Sequence, residues 1–150
     1  MNELSIRHLA PGDAALMEAM LTVFGDAFGE PKAYGAARPS QAYLERLLAK
    51  EHFIALAALQ DGTAVGGLAA YELAKFEQER SEIYIYDLAV AEPHRRQGIA
   101  TAMIEKLKVM AAARGAYVIY VQADLVDAAA IALYSKLGKR EDVLHFDIEP

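Results

Sequence analysis

Tyr86-Asp87-Leu88-Ala89-Val90-Ala91-Glu92-Pro93-His94-Arg95-Arg96-Gln97-Gly98-Ile99-Ala100-Thr101 is the stretch that decides the fold. A β-branched and aromatic run ends near Val90, a loop carrying Pro93 and two arginines follows, and a helix begins at Gly98. A helix start presents unpaired backbone N–H groups and the positive end of the helix dipole. Gly98 has no Cβ to keep a ligand off the backbone, Ala100 stays small for a similar reason, and Arg95 and Arg96 add positive charge. Together these suit a phosphate or pyrophosphate. An ordinary strand-to-helix turn with solvated arginines has the same local sequence, and local physics leaves both readings open. Two other phosphate signatures are absent. There is no G-x-x-x-x-G-K-[ST] of a Walker NTPase and no G-x-G-x-x-G of a Rossmann dinucleotide site.

Outward from this segment the chain alternates strands and helices. Upstream, Ser81 to Val90 is the most strand-like run. Phe53 to Leu59 and Val65 to Leu73 form a hairpin around Asp61-Gly62, with Gly66-Gly67 marking a bulge or a close neighbour. Before the hairpin, Ser40 caps a helix bearing Tyr43, Leu44, Leu47 and Leu48, and Glu30 to Pro39 reads as a loop. A first helix, opened by Asp13 and ended by Gly25 and Gly29, carries Leu16, Met17, Met20, Leu21 and Phe24 on one face. Leu4 to Leu9 alternates as a short strand. Downstream, Thr101 to Arg114 is helical with Gly115 at its end. Tyr117 to Val121 is a continuous apolar strand, Asp127 to Leu137 is helical, and Val143 to Ile148 is a final strand. The order β, α, α, β, β, β, α, β, α, β predicts a mixed sheet with helices on its faces.

The chain has 150 residues, which fits one domain spanning 1–150 with a core of its own. It has no Cys, which excludes a disulfide scaffold, a thiolate metal site and a Cys nucleophile. Much of the 55% hydrophobic content is alanine, with 30 such residues, and no run is long enough to span a bilayer. The formal charge of −6 disfavours a phosphate backbone as partner and favours a cationic one. The start, Met1-Asn2-Glu3-Leu4-Ser5, lacks a basic region followed by an apolar stretch, so no signal peptide and a cytoplasmic location are expected. The four histidines are scattered without an H-E-x-x-H, so no metal site is expected.

Arg95-Arg96-Gln97-Gly98-Ile99-Ala100 resembles the acyl-CoA pyrophosphate signature (Gln/Arg)-x-x-Gly-x-(Gly/Ala) of the GNAT N-acetyltransferase superfamily. Asp127-Ala128-Ala129-Ala130-Ile131-Ala132-Leu133-Tyr134-Ser135-Lys136-Leu137-Gly138 is similar to the family's Asn-x-x-Ala…Leu-Tyr-x-Lys-x-Gly helix, with Asp127 in place of the usual Asn. Phe76-Glu77-Gln78, Ser81 to Val90, Gly115 to Asp124 and His145-Phe146-Asp147-Ile148 resemble the class I aminoglycoside 3-N-acetyltransferases, with departures at Val126-Asp127-Ala128 and at the C-terminus. The resemblance implies an α/β (α+β) GNAT fold. Its mixed, mostly antiparallel sheet has about six to seven strands, a splayed parallel pair and about four flanking helices. It also implies acetyl-CoA as donor, an aminoglycoside 3-amino group as acceptor, and antibiotic resistance as the consequence. Family members are often dimers, and apolar, Tyr-rich strands offer an interface for a homodimer.

By the same resemblance, the strands ending at Val90 and near Asp124 splay beside the acyl-CoA. Backbone groups of Leu88, Ala89 and Val90 hold the acetyl carbonyl and pantetheine. Arg95, Arg96, Gln97, Gly98, Ile99, Ala100 and Thr101 cradle the pyrophosphate, and Asp127 and Tyr134 complete the cofactor site. Tyr134 occupies the family's general-acid position beside the thiolate leaving group, although a lone helical Tyr otherwise reads as a core packer. An acceptor amine must lose a proton before attack, and Asp87, in an otherwise apolar strand, is the leading base. A carboxylate that only holds the sheet or the substrate ammonium would look the same, and alternation alone does not say which face Asp87 occupies. Glu82 and Asp124 are weaker candidates. A polycationic acceptor calls for carboxylates, and Asp124, Asp142, Asp147, Glu149, Asp26 and Glu30 are available. Tyr84, Tyr86 and Tyr120 either floor the cleft or pack the core. The alternatives are an acetyltransferase for a polyamine or peptide amine, and a non-catalytic acyl-CoA-binding regulatory module.

Overall fold

In the computed structural model, residues 3–30, 34 and 37–150 are described. The elements are β1 (Leu4–His8), α1 (Ala14–Phe28), α2 (Gln41–Leu48), β2 (Phe53–Gln60), β3 (Thr63–Ala74), β4 (Ser81–Val90), α3 (Ile99–Arg114), β5 (Ala116–Val121) and α4 (Ala128–Leu137). The five strands form one sheet in the order β1-β2-β3-β4-β5. The first three pairings are antiparallel, and β4 with β5 is parallel. This is the mixed sheet the residue pattern predicts.

Local chemistry sets most boundaries. Asp61 and Gly62 both take positive φ, 51° and 85°, as a two-residue hairpin turn requires. Ser40 accepts a hydrogen bond from the Tyr43 amide at 3.1 Å and opens α2. Asp127 does the same for α4 through the Ala130 amide at 3.0 Å. Asp13 behaves differently from expectation. Its carboxylate accepts from the Ala10 amide at 2.8 Å and from Arg7 at 2.7 Å, closing a short turn ahead of α1 rather than capping it. Gly25 lies inside α1, and Gly29 ends it. Half of the loop expected over Glu30 to Pro39, residues 31–33 and 35–36, lies outside the described residues, as do residues 1–2.

The sheet separates two cores. On one face, α3 buries Ile99, Met103 and Leu107 against Leu56, Leu68, Ile83 and Ile85, with Leu133 and Tyr134 of α4 packed alongside. On the other, α1 and α2 bury Met20, Phe24, Leu44 and Leu48 against Phe53, Ala55, Ala57 and Ala89. Each fully buried Leu, Ile or Met contributes about 1.5–3 kcal/mol. The alanine-rich strands let α1 come close. A Cβ on Gly67 would lie 2.8 Å from Met20 Cε and 3.2 Å from Phe24 Cζ, so the close-neighbour reading of Gly67 is correct. Among the described residues no helix is long and apolar enough to cross a membrane.

Two expectations need correction. The sheet has five strands, not six to seven, because Val143 to Ile148 joins no sheet. Its alternation makes it competent as a strand, but a strand needs a partner edge, and this segment is exposed along its whole length. Further, β5 ends at Val121, and Asp124 lies beyond it in the turn that leads into α4.

Candidate active site

One extra residue in β4 shapes the site. Along β3 and β4, Ala69 faces Asp87 and Ala70 faces Ile85, so Tyr86 is left over as a bulge. A bulge reverses the inside–outside alternation for everything after it. Before it, Ile83 and Ile85 point into the α3 core. After it, Leu88 and Val90 pack against that core, while Ala89 joins the α1 core. Asp87 shares the parity of Ala89 and therefore faces α1. Without the bulge its carboxylate would point into an apolar core.

On that face Asp87 meets Tyr34. The Tyr34 hydroxyl donates to Asp87 Oδ2 at 3.1 Å. Burial pushes the Asp87 carboxyl above its ordinary value, the Tyr34 hydrogen bond pulls it back, and the Glu30 carboxylate pushes it up again. Tyr34 is itself raised to about 12, first by burial and then by Asp87, so it remains a donor throughout the neutral range. Nothing in the spacing of the sequence links Tyr34 to Asp87. The one available signal is that Tyr34 is an aromatic hydroxyl in a loop bordered by Glu30, a residue already singled out as an acceptor carboxylate.

The parallel strands part beside Asp87. The β4–β5 ladder stops at Ile85 and Val121, and Tyr86 to Val90 run on without a β5 neighbour. Tyr134 of α4 packs against the α3-side core and lines one groove with Ile85 and Val121, the last paired residues of the ladder. Burial raises its phenol to about 12, with Asp127 and Asp87 adding to the effect. Asp87 and Tyr134 thus lie on opposite faces of the sheet near the end of the β4–β5 ladder, and the Asp87 charge reaches the Tyr134 phenol. The phenol stays protonated at neutral pH and can donate a hydrogen bond there. Asp127 caps α4.

At the head of α3 the backbone is unusual. Arg96 has φ +64° and Gly98 φ +79°, both left-handed. No side chain caps this helix. A Cβ at Gly98 would meet nothing within 4 Å, so the helix end opens onto free space, and what favours glycine there is the backbone angle. Arg96 and Gln97 are exposed, Ala100 and Thr101 half-buried, and the Ile99 side chain turns into the core, leaving only its amide toward the loop. Uncapped amides with two arginines beside them match an anionic group such as the pyrophosphate of CoA. One detail differs from expectation. Val90 O is not free, because Arg95 Nε donates to it at 3.0 Å, which ties the loop back to the end of β4.

Tyr71, Tyr86, Tyr84 and Tyr120 form an aromatic row across the α1 face. Tyr71 meets Tyr86 edge-on at 5.8 Å, Tyr86 meets Tyr84 at 5.9 Å, and Tyr84 stacks on Tyr120 at 4.8 Å. Tyr84 also donates to Gln122 at 3.1 Å. Asp142, Asp147 and Glu149 lie on the exposed terminal segment, where Asp142 pairs with Arg140 at 2.6 Å and Asp147 with His145 at 2.8 Å. Asp124 is exposed in its turn, and Glu82 accepts from Tyr117 at 3.3 Å. The carboxylate whose charge Asp87 feels is Glu30.

A five-stranded sheet opened between a parallel pair, with an uncapped helix start at its mouth, defines an acetyltransferase scaffold. The chain belongs to the acetyltransferase (GNAT) family, whose sequence model matches residues 17–139. Among solved structures it is similar to the aminoglycoside acetyltransferase HMB0005 from an uncultured soil metagenomic sample, at 64% identity and TM-score 0.97 over 99% of each chain. It is also similar to the aminoglycoside acetyltransferase meta-AAC0020 from an uncultured soil metagenomic sample, in complex with sisomicin. That match has 30% identity and TM-score 0.92, over 98% of this chain and 96% of that one. Aminoglycoside N-acetyltransferase AAC(6')-Iy in complex with CoA shares the fold, at 15% identity and TM-score 0.78 over 100% and 97% of the two chains. No curated protein sequence matches the chain.

Proposed function

We propose that this protein is an acetyl-CoA-dependent aminoglycoside 3-N-acetyltransferase of gentamicin type, acting by direct transfer and conferring antibiotic resistance in the cytoplasm. The observation that carries the reading is the placement of Asp87 and Tyr134 on either side of the gap between β4 and β5. The 64% identity to an aminoglycoside acetyltransferase, and the sisomicin complex of the other, support an aminoglycoside acceptor.

Acetyl-CoA supplies the acetyl group as a thioester. The amides from Arg96 to Thr101 and the Arg95 and Arg96 side chains would hold its pyrophosphate, and the backbone of Leu88 to Val90, which has no β5 neighbour and whose Val90 carbonyl is already bonded by Arg95, would face the pantetheine. Asp87, held by Tyr34, takes the proton from the acceptor ammonium, a task helped by burial, which raises its pKa above the ordinary carboxylate value. The neutral amine would then attack the thioester carbonyl, forming the N–C bond as the C–S bond breaks, and the Tyr134 hydroxyl would donate a hydrogen bond to the departing thiolate. Asp87, Glu30 and the row of Tyr84, Tyr86 and Tyr120 receive the polycationic acceptor, and acetylation removes one of its positive charges.

Thiol release from acetyl-CoA with gentamicin, spermine or a histone-like peptide as acceptor tests this, followed by NMR of the product. Acetylation of the gentamicin 3-amine is the expected result. Release only with spermine or the peptide would overturn the substrate, another acetylated amine would overturn the regiochemistry, and binding of acetyl-CoA without release would make the protein a regulatory module.

A further inference from the structure

Tyr34 is held at both ends. Its hydroxyl donates to Asp87, while its backbone carbonyl accepts two bonds from one guanidinium, from Arg38 Nε at 3.3 Å and from Arg38 Nη2 at 3.1 Å. Arg38 Nη2 also donates to Thr22 Oγ1 at 2.9 Å, and the Thr22 hydroxyl donates to the Glu18 carbonyl, one turn back along α1, at 3.3 Å. The Tyr34 ring lies against Phe24 and Phe28 of the same helix, with centroids 6.2 and 5.7 Å away. A chain of bonds therefore runs from the backbone of α1 through Thr22, Arg38 and Tyr34 to the carboxylate in β4.

Arg38 spends its donors in an uncommon way. It is half-buried, yet among the described residues no carboxylate pairs with it. Its planar fork closes on one carbonyl and one hydroxyl, which fixes direction as well as distance. Tyr34 lies between α1 and α2 and belongs to no sheet ladder. Its amide donates to the Glu30 carbonyl at 3.3 Å, and Arg38 supplies the tie on its carbonyl side.

We propose that Arg38 is a positioning residue for this site: it clamps the Tyr34 carbonyl to α1 so that the Tyr34 hydroxyl stays on Asp87. The catalytic consequence rests on Asp87 being the base, whereas the clamp itself does not. Arg38 acts through Tyr34 and not by its charge. The influences on the Asp87 carboxyl are burial, the Tyr34 bond and Glu30. The other phenols facing it, Tyr71 of β3, Tyr84 of β4 and Tyr134 of α4, are raised above their ordinary value by burial and stay neutral where a carboxyl titrates. Releasing the clamp weakens the one bond that opposes the rise, so Asp87 then titrates at higher pH.

Carbon-13 NMR of the side-chain carboxyls follows Asp87 in the full chain without acceptor or acetyl-CoA, and Asp87→Asn identifies its signal. In Arg38→Ala the Asp87 midpoint is expected to rise by about 0.5–1 on the pH scale, the order of one hydrogen bond. Tyr34→Phe should raise it at least as far. Arg38→Ala combined with Tyr34→Phe should match Tyr34→Phe alone, because the clamp then has no hydroxyl to aim. Circular dichroism reports the fold of each variant. Should Arg38→Ala not fold, Thr22→Val, which removes only the anchor on α1, carries the same test with a smaller rise. A midpoint unmoved in the folded variant would overturn the proposal. So would a rise that recurs in full on the Tyr34→Phe background, since it would make Arg38 a plain charge. The acidic limb of kcat/KM should follow the NMR midpoint. A limb that stays in place while the midpoint moves would remove Asp87 from the base role and leave the clamp standing.

Discussion

The Tyr34 hydroxyl donates to the Asp87 carboxylate at 3.1 Å, joining a residue that follows α1 to the bulged strand β4 across 53 positions of sequence. The bond opposes the two influences that raise Asp87, namely burial and Glu30. Tyr34→Phe removes it and lets the Asp87 pKa rise further. A base works only when deprotonated, so the acidic limb of kcat/KM moves to higher pH. A pH–rate profile of the variant against wild type measures the shift, and an unmoved limb would remove Asp87 from the base role.

Asp87→Asn separates activity from stability. Loss of the base is expected to lower kcat by about 10²- to 10⁴-fold. The stability sign follows from the raised pKa. The folded state binds this proton more tightly than the unfolded state does, so the ionised carboxylate opposes folding once pH exceeds the folded-state pKa. The neutral amide removes that opposition, and Tm at pH 7 should be unchanged or higher. A near-normal kcat with a raised KM would reduce Asp87 to substrate binding.

Tyr134→Phe keeps the ring packed against the α3 core and deletes only the hydroxyl. Transfer should slow by about 10²-fold while acetyl-CoA affinity holds. In the wild type no alkaline loss from this phenol is expected until pH nears 12. Equal single-turnover rates for variant and wild type would leave Tyr134 with a packing role.

Gly98→Glu strains the left-handed residue at the head of α3, at about 1–2 kcal/mol. It also places a negative charge where the pyrophosphate is received. Calorimetry should show loss of acetyl-CoA binding in a protein that remains folded by circular dichroism. Gln97→Ala, which leaves the backbone amides in place, should bind nearly normally. Unchanged affinity in Gly98→Glu would count against the cofactor site.

Gly67→Val drives a branched side chain into Met20 and Phe24 beneath β3. Overpacking of this kind costs about 1–3 kcal/mol, read as a lower denaturation midpoint. The Met20 terminus is flexible, so Gly67→Ala should cost less than Gly67→Val.

The sequence by itself determined what depends on neighbouring residues. Asp61-Gly62 sets a hairpin because only certain residues accept two positive φ angles in succession. Ser40 and Asp127 start helices by bonding amides three residues on. The run from Val90 through Arg96 and Gly98 to α3 is a strand, an anion-ready loop and a helix start in one continuous stretch. Tertiary structure alone decided what depends on distant partners. The leftover Tyr86 exists only in the register of β4 against β3, and that single residue turns Asp87 from the α3 core to the α1 face and Tyr34. Val143 to Ile148 carries the alternation of a strand, yet pairing requires an edge, and among the described residues it pairs with none. Alternation is a local property, whereas the face a residue occupies and the edge a strand finds are set by partners far away in sequence.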